Sequence, residues 1–390
     1  MIAINKKVVS SIKKIPILKK RRVRKRLKYY VYKYMLSKHE VRLGEKDFIQ
    51  KQKLVTRQIN RYPIKASELR CKIDKIYTNE KKLDDKDSLL IDIFFSFYAY
   101  GYSPYEYVCY DFINKSIEER RKFISDRESV CYGYRMNDID SMSLFMNKMK
   151  TYEMYKEYYK REAISISKLC DKKKFFDFVS KHSRFVKKEV NESCGRGVEL
   201  IELNKINTNL ESLFERLIAK GEVILEECVI QGMILSKLND TSVNTVRCIT
   251  LNTKNGVVVP FCFLKIGRAG AFIDNGGAGG ILVGINNETG ILETDGVDEL
   301  NNRYIVHPDS GVRFIGFQLP EWNTLKSLCV EMSSKSPNVK CIGWDMAYTS
   351  EGWVVIEGNG LTEVIGPQAP YLRGIRDEWE KYMNSIELIF

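Results

Sequence analysis

The sequence predicts an α+β fold, in which a mostly helical N-terminal part precedes short strands and glycine turns. Apolar residues recur at helical spacing through 41–165, and 88–100 is apolar enough to be a buried helix. From about residue 166, short strand-like segments alternate with helices and glycine clusters. Near the C-terminus, 341–359 has two apolar segments around a turn, a pattern typical of a β-hairpin.

Composition sets limits on the class of protein. A chain of 390 residues with 44% hydrophobic residues is long enough for two or three domains with real cores. No stretch approaches the roughly 20 apolar residues of a membrane helix, and the basic N-terminus lacks the apolar segment of a secretory signal. Ten single cysteines without a CxxC motif, together with three histidines, argue against a zinc site or a disulfide framework. We therefore expect a cytoplasmic protein.

The positive charge lies in one segment. Residues 1–40 hold 14 Lys or Arg and one acidic residue, whereas the other 350 residues hold 49 basic and 49 acidic residues. We interpret 1–40 as a basic helical extension. It suits peripheral contact with the anionic inner face of a membrane, at about 1 kcal/mol per basic residue, or it is a solvated first helix. Nucleic acid is not expected as a partner, because no recognised nucleic-acid module follows.

The remaining elements are predicted in chain order from turn signals and apolar runs. Helices are expected at 102–112, 116–123, 207–220 and 322–333, with Gly221 as a C-cap. Strands are expected at 185–190, 222–230, 242–253, 257–266, 281–285 and 291–294, and 276–280 is a glycine-rich loop.

The hairpin carries the most informative pair of residues. A three-residue loop of 350–352, with Gly352 in the left-handed conformation, would place Asp345 opposite Glu357 and Asn359 on the same face. Like charges in such a pair are unfavourable, so an oxygen-ligated cation such as magnesium is expected there. The alternative is a solvated acidic edge.

A second pattern indicates phosphate binding. Lys187 lies on a strand that leads into a glycine turn at 195–197, whose backbone N–H groups suit phosphate oxygens. Because strand residues alternate faces, only one of Lys187 and Lys188 should point inward. The alternative for either lysine is a solvated side chain.

These motifs occur in an order that resembles the ATP-grasp superfamily, in particular its branch associated with sugar transfer and surface-polysaccharide loci. The resemblance runs from about 140 to 370 and rests on 185–187, 195–198, 225–230, 242–247, and Asp345 with 357–359. It implies an ATP-grasp fold in which two α+β subdomains, 166–235 and 236–390, hold ATP between them. The mostly helical region 41–165 would precede them and lead into the first subdomain.

The resemblance also implies roles for individual residues. Lys187 would contact the α- and β-phosphates, and Asp345, Glu357 and Asn359 would carry one or two Mg²⁺ ions. The remaining nucleotide contacts would be the phosphate lid Gly195, Arg196 and Gly197 and the adenine hinge Glu226, Glu227, Cys228 and Val229. One departure is that the family's upstream phosphate lysine is absent near 137–141, where Lys148 or Lys150 could substitute.

The acceptor side is predicted from polar residues between the hinge and the hairpin. Arg247, Lys265 and Arg268 are the catalytic candidates, because arginine suits bidentate binding of a carboxylate or an acyl-phosphate. The substrate-binding candidates are Asn244, Arg247, Arg268, Asp274 and Asn275. Ordinary surface ion pairs are the alternative for these residues, and His307 is either a base or a structural residue.

The function that follows is an ATP-dependent carboxylate–amine ligase forming an amide through an acyl-phosphate. By resemblance, the carboxylate would belong to a uronic acid or related sugar in capsule or O-antigen biosynthesis. An ATP-dependent phosphotransferase acting on a sugar hydroxyl is the alternative, and a non-catalytic nucleotide-binding scaffold is a third. We expect Asp345→Asn or Glu357→Gln to abolish turnover without unfolding the protein, and relief of repulsion to stabilise it without metal.

Overall fold

The computed structural model describes residues 48–61, 63–77, 86–190, 197–205, 209–219, 221–272, 274 and 279–386. The predicted extension at 1–40 therefore lies outside the described residues. Within them, no helix is both long enough and apolar enough to cross a membrane.

Helices dominate the N-terminal part, as the sequence predicts. The α-helices in chain order are α1 (Phe48–Arg61), α2 (Pro63–Tyr77), α3 (Lys86–Phe95), α4 (Pro104–Cys109), α5 (Ile117–Arg121), α6 (Asp126–Met136), α7 (Ile139–Met142), α8 (Lys148–Tyr159), α9 (Lys172–Lys181), α10 (Leu210–Ile218), α11 (Met233–Ser236), α12 (Trp322–Ser334) and α13 (Arg376–Asn384). A π-helix, Ser96–Tyr100, continues α3. Ser103 and Ser116 each form a capping box with a glutamate three residues on, which explains where α4 and α5 begin.

The strands form two antiparallel sheets. They are β1 (Ala163–Ile166), β2 (Arg184–Glu189), β3 (Glu199–Glu202), β4 (Val223–Glu227), β5 (Thr245–Thr253), β6 (Gly256–Ile266), β7 (Ile281–Gly284), β8 (Gly296–Val297), β9 (Arg303–Tyr304), β10 (Cys341–Thr349) and β11 (Gly352–Asn359). The smaller sheet has the order β1-β4-β2-β3, and the larger has the order β11-β10-β5-β6-β7-β8-β9. The α+β class is thus confirmed. The predicted strand at 291–294 is wrong, because this segment makes only isolated bridges.

Helices cover one face of the four-stranded sheet and both faces of the seven-stranded sheet, whose second face packs Ile249 and Leu251 against α6 and α13. The four-stranded sheet packs its Phe185 side against α9 and α10 through a cluster that includes Phe175, Phe178 and Leu213. The seven-stranded sheet packs against α12 and α8 through a larger cluster that includes Trp344 and Leu325. The other face of the four-stranded sheet is left to line a pocket with α8 and β11.

The N-terminal helices share a core with the C-terminal part of the chain. Tyr107, Tyr110 and Phe112 belong to the same buried cluster as Val297 and Ala369. The amide of Gln368 also bonds both backbone groups of residue 124. Buried contacts therefore cross the predicted boundary between the helical region 41–165 and the residues that follow it.

Candidate active site

The C-terminal hairpin places Asp345 opposite Glu357, as predicted, but by a different route. The turn has two residues, since Thr349 pairs with Gly352, so the predicted three-residue loop is wrong. From the turn to Met346, which pairs with Val355, the strands pair one residue away from the predicted register. A β-bulge at Ile356 adds one residue to β11, and this restores the pairing of Asp345 with Glu357.

From this pair, a row of charged side chains runs across β11, β10 and β5. Asp345 on β10 is opposite Glu357 on one side and Arg247 on the other. Arg247 binds Asp345 with a bidentate fork, Nε donating to Oδ1 at 2.6 Å and Nη2 to Oδ2 at 2.9 Å. Lys265 Nζ lies 3.0 Å from Asp345 Oδ1. Two cations thus balance a carboxylate that the sequence alone presents as repelled by Glu357.

Asp345, Arg247 and Lys265 form a buried cluster, the Asp345 cluster. Burial strengthens the interactions between their charges. Burial alone would raise the pKa of Asp345, but the charges of Arg247 and Lys265 outweigh it and lower that pKa to about 2. Gly343, two residues earlier on β10, leaves room for the fork, because a Cβ there would lie 3.2 Å from Arg247 Cδ. Asp345 is therefore ionised and oriented at neutral pH.

Asp274 extends the cluster on the far side of Lys265. Its Oδ1 lies 3.9 Å from Lys265 Nζ, and its Oδ2 accepts from the backbone N–H of Thr245 at 3.1 Å. Burial raises the pKa of Asp274 above its usual value, and Lys265 opposes that effect. Three of the predicted acceptor-side residues, Arg247, Lys265 and Asp274, are thus brought together.

A pocket lies where the four-stranded sheet faces α8 and the bulged strand β11. Its lining residues are Phe145, Lys148, Thr151, Tyr152, Tyr159, Ala163, Lys188, Ile224, Glu226, Ile356, Glu357 and Gly358. Two ion pairs face it. Lys148 Nζ is 3.2 Å from Glu357 Oε1, and Lys188 Nζ is 2.5 Å from Glu226 Oε2.

Lys188 lines the pocket, whereas the sequence predicts Lys187 as the phosphate lysine. The two side chains leave opposite faces of β2, as strand alternation requires. Lys187 pairs with Glu189 and does not line the pocket, whereas Lys188 does. Of the two upstream candidates, Lys148 lines the pocket and Lys150 is exposed.

The predicted hinge begins at the edge of the pocket. Glu226 is buried and accepts from Lys188 and from Arg161. Burial would raise the pKa of Glu226, but these two cations lower it to about 2. Glu227 ties β4 to β1 through the backbone N–H of Glu162, and Cys228 and Val229 follow β4, half-buried. Arg161 was not predicted, and no local pattern marks it, since Glu226 and the carbonyl of Val355 lie 65 and 194 positions away in the sequence.

The remaining predicted residues lie elsewhere or outside the described residues. Arg268 forms a bidentate pair with Asp309, so it is not part of the Asp345 cluster. The buried Asn244 amide donates to the carbonyls of Leu235 and Asn239, which is a structural contact. Gly195, Arg196 and Asn275 fall outside the described residues, while Gly197 is described and has a φ of +70°.

His307 has the geometry of a structural histidine. It is fully buried, and its Nε2 lies 2.9 Å from the carbonyl of Gly267. Its Nδ1 accepts from the backbone N–H of Asp309 at 3.3 Å, and burial lowers its pKa. Both ring nitrogens are thus engaged, which favours the structural role over the role of a base.

The oxygen ligands near the hairpin fit a magnesium ion whose remaining ligands are the phosphate oxygens of a nucleotide. No group of three or more His, Cys, Asp or Glu side chains that could hold a metal occurs among the described residues. Magnesium in nucleotide sites is usually held by one or two carboxylates together with phosphate oxygens. Glu357 and Asn359 lie on one face of β11, and the ammonium of Lys148 already sits beside Glu357 as a cation. Asp345 is less available, because Arg247 and Lys265 occupy its oxygens.

Among known proteins, one family model matches most of the chain. The family described as sugar-transfer associated ATP-grasp matches residues 127–384, well over half of the chain. No curated protein matched the sequence.

Solved structures that match part of the chain include ligases and a synthetase of low sequence identity. VanG D-Ala:D-Ser ligase from Enterococcus faecalis is 14% identical, with a TM-score of 0.40 over 63% of this chain and 64% of that chain. N5-carboxyaminoimidazole ribonucleotide synthetase from Thermotoga maritima is 13% identical, with a TM-score of 0.39 over 65% and 52%. D-alanine–D-alanine ligase from Bacillus anthracis complexed with ATP is 15% identical, with a TM-score of 0.40 over 64% and 69%. This chain thus spans less than two thirds of the length of the first two.

Proposed function

The chain belongs to the sugar-transfer associated ATP-grasp family, and from this we propose that it is an ATP-dependent carboxylate–amine ligase. The observation that carries the proposal is the row Glu357–Asp345–Arg247, extended by Lys265. One end of this row lines the pocket, and the other end presents two buried cations. A nucleotide phosphate and an acceptor carboxylate bound at the two ends would therefore be neighbours.

The pocket supplies the nucleotide side of the reaction. Lys148 and Lys188 approach it from α8 and β2, and each is paired with a glutamate that a phosphate could replace. Glu357 and Asn359 would hold Mg²⁺, which when bound offsets the charge gathered during phosphoryl transfer. Glu226 to Val229 would form the adenine hinge.

Arg247 and Lys265 would hold the acceptor carboxylate. Arg247 carries five N–H donors and Lys265 three, more than the two oxygens of Asp345 can use. Asp345 would keep both side chains oriented while their other donors bind the substrate. Asp274, on the far side of Lys265, would limit the movement of its ammonium group.

The reaction would proceed in two transfers. A carboxylate oxygen attacks the γ-phosphorus of ATP, the bond to ADP breaks, and an acyl-phosphate remains. The amine nitrogen then attacks the acyl carbon, phosphate leaves, and the amine loses a proton to give the amide. Because negative charge accumulates in the first transfer, fixed cations at the acceptor end would stabilise it.

The acceptor class we propose is a uronic acid or a related sugar acid. The description of the family as sugar-transfer associated supports this choice. A role in capsule or O-antigen biosynthesis in the cytoplasm would follow. Contact of residues 1–40 with an anionic membrane remains part of the same proposal, since it would bring the enzyme to lipid-linked glycans.

The decisive experiment is a screen of uronates against amines with Mg-ATP, read by ADP release and by product mass. We expect ADP to form only when both partners are present. Lys148→Met should abolish this activity, because it removes one of the two lysines that face the pocket, the one beside Glu357. Lys150→Met is the matched control: it removes an exposed cation two residues away and should retain activity.

The product decides between the reaction classes. An amide supports the ligase, whereas a stable phosphoester on a sugar hydroxyl would replace it with a phosphotransferase. Failure of the wild-type protein to bind Mg-ATP would reject both.

A further inference from the structure

Arg161 is a buried arginine that contacts the lining residue Glu226 and the carbonyl of Val355, which precedes the lining residue Ile356. It follows α8, where Lys160 adopts a left-handed conformation with a φ of 47°, and it precedes β1. Only 9% of its surface is exposed, so its charge must be balanced by neighbouring groups.

Its contacts join the two sheets. Nε donates to Glu226 Oε1 at 2.5 Å, and Nη1 donates to the carbonyl oxygen of Val355, also at 2.5 Å. Nη1 also donates to the carbonyl of Tyr159 at 3.0 Å, and the guanidinium lies 4.7 Å from the centre of the Tyr159 ring. Glu226 belongs to the four-stranded sheet and Val355 to the seven-stranded sheet. One rigid fork thus fixes both.

Two of the groups that the Arg161 guanidinium binds, the Glu226 carboxylate and the Val355 carbonyl, lie close to side chains of the proposed nucleotide site. Glu226 also binds Lys188, so Arg161 fixes the carboxylate that orients the phosphate-side lysine. Val355 immediately precedes the bulge residue Ile356, and Glu357 follows. Holding the carbonyl of Val355 therefore holds the bulge that turns Glu357 towards the pocket. A lysine could not make both contacts with the same geometry, because its ammonium is a single point rather than a planar fork.

We propose that Arg161 is a positioning residue that couples Lys188 and Glu226, on the four-stranded sheet, to Glu357 on β11. Through this coupling, ATP and Mg²⁺ strengthen each other's binding. This rests on the proposed function only in requiring that the pocket takes Mg-ATP. It does not depend on which acceptor or which amine is used.

The test is the affinity for ATP, measured by calorimetry with and without Mg²⁺, in the wild-type protein and in Arg161→Met, Arg161→Lys and Arg216→Met. In the wild type, Mg²⁺ should strengthen ATP binding. In Arg161→Met we expect this enhancement to fall by about tenfold or more, the size of a typical coupling between two sites. Arg161→Lys should recover part of it, because an ammonium can still pair with Glu226. Arg216→Met, which removes an exposed arginine of α10, should leave the enhancement unchanged.

The ratio of affinities separates positioning from a purely structural role. A variant that is only less stable keeps the same ratio at temperatures where it is folded. Arg161→Met should fold, since Glu226 retains Lys188 as a partner. If it does not, Arg161→Lys decides the question, and a wild-type ratio in that variant overturns the proposal. A wild-type ratio in Arg161→Met overturns it while leaving the proposed function intact, whereas no ATP binding by the wild-type protein rejects both.

Discussion

At the scale of single residues, Asp345 has a structural role as well as a place in the site. Arg247 and Lys265 are 7% and 8% exposed; Arg247 pairs with this carboxylate, whereas Lys265 pairs with it at 3.0 Å and with Asp274 at 3.9 Å. Asp345→Asn would leave the buried Arg247 beside a neutral amide and would leave Lys265 with the more distant Asp274. We therefore expect this change to lower the free energy of unfolding by about 3–5 kcal/mol, which is typical of breaking a buried ion pair from one side. Urea denaturation followed by circular dichroism measures it.

Glu357→Gln is the control for this prediction, because its partner Lys148 is much less buried. The side chain of Glu357 is 33% exposed, so losing its pair should cost roughly 0–1 kcal/mol. For Asp345→Asn, the structure thus argues against the expectation from the sequence that relief of repulsion would stabilise the protein without metal. Equal stability of Asp345→Asn and the wild type would contradict the structural account.

The sequence predicts which residues of the hairpin lie opposite each other better than it predicts their other neighbours. Asp345 and Glu357 were found because a hairpin is local, and its two strands lie close in the chain. The partners of Asp345 on β5 and β6 are 98 and 80 positions away, and nothing local specifies that β10 pairs with β5. The choice of Lys188 over Lys187 has the same cause, since it depends on which face of β2 meets the pocket.

At the scale of elements, the hairpin shows how a turn and a bulge together set the register. The turn has two residues and is followed by Gly352 with a φ of +89°, and the extra residue Ile356 then shifts β11 by one position. The sequence predicted the correct pair from an incorrect loop, because two one-residue differences cancel. Bulges depend on packing against neighbouring strands, so sequence patterns rarely reveal them.

The turn gives a prediction at the same scale. Gly352→Ala should cost about 1–2 kcal/mol, because the left-handed conformation crowds a Cβ against the backbone. The space around the site is open, the nearest atom to an added Cβ being Glu321 Oε2 at 3.7 Å, so backbone strain is the only cost. Gly352→Asn should cost less, since asparagine tolerates this conformation. Thermal unfolding of the two variants compares them, and a larger loss for Asn than for Ala would refute the strain argument.

At the scale of the whole molecule, the family match and the folded unit do not coincide. The match begins at residue 127, whereas helices α1 to α5 lie before it. These helices cover Val297 and Ala369. The backbone of residues 121 and 123 also accepts hydrogen bonds from Arg376 at 2.6 and 2.7 Å. The helical part is therefore built into the core of the C-terminal part.

Excising the matched region should for this reason fail to give a stable protein. A chain of residues 127–384 would expose the apolar surface around Val297 and would leave the buried amide of Gln368 without its contacts to residue 124. Each buried polar group left without a partner costs about 1–3 kcal/mol, and the exposed apolar surface promotes association. We expect this fragment to aggregate on size-exclusion chromatography. A chain of residues 48–390 keeps every contact named here and should elute as a folded species. A soluble 127–384 fragment with the same urea midpoint of unfolding as the full chain would contradict this expectation. The helical part would then be an independent addition rather than part of one core.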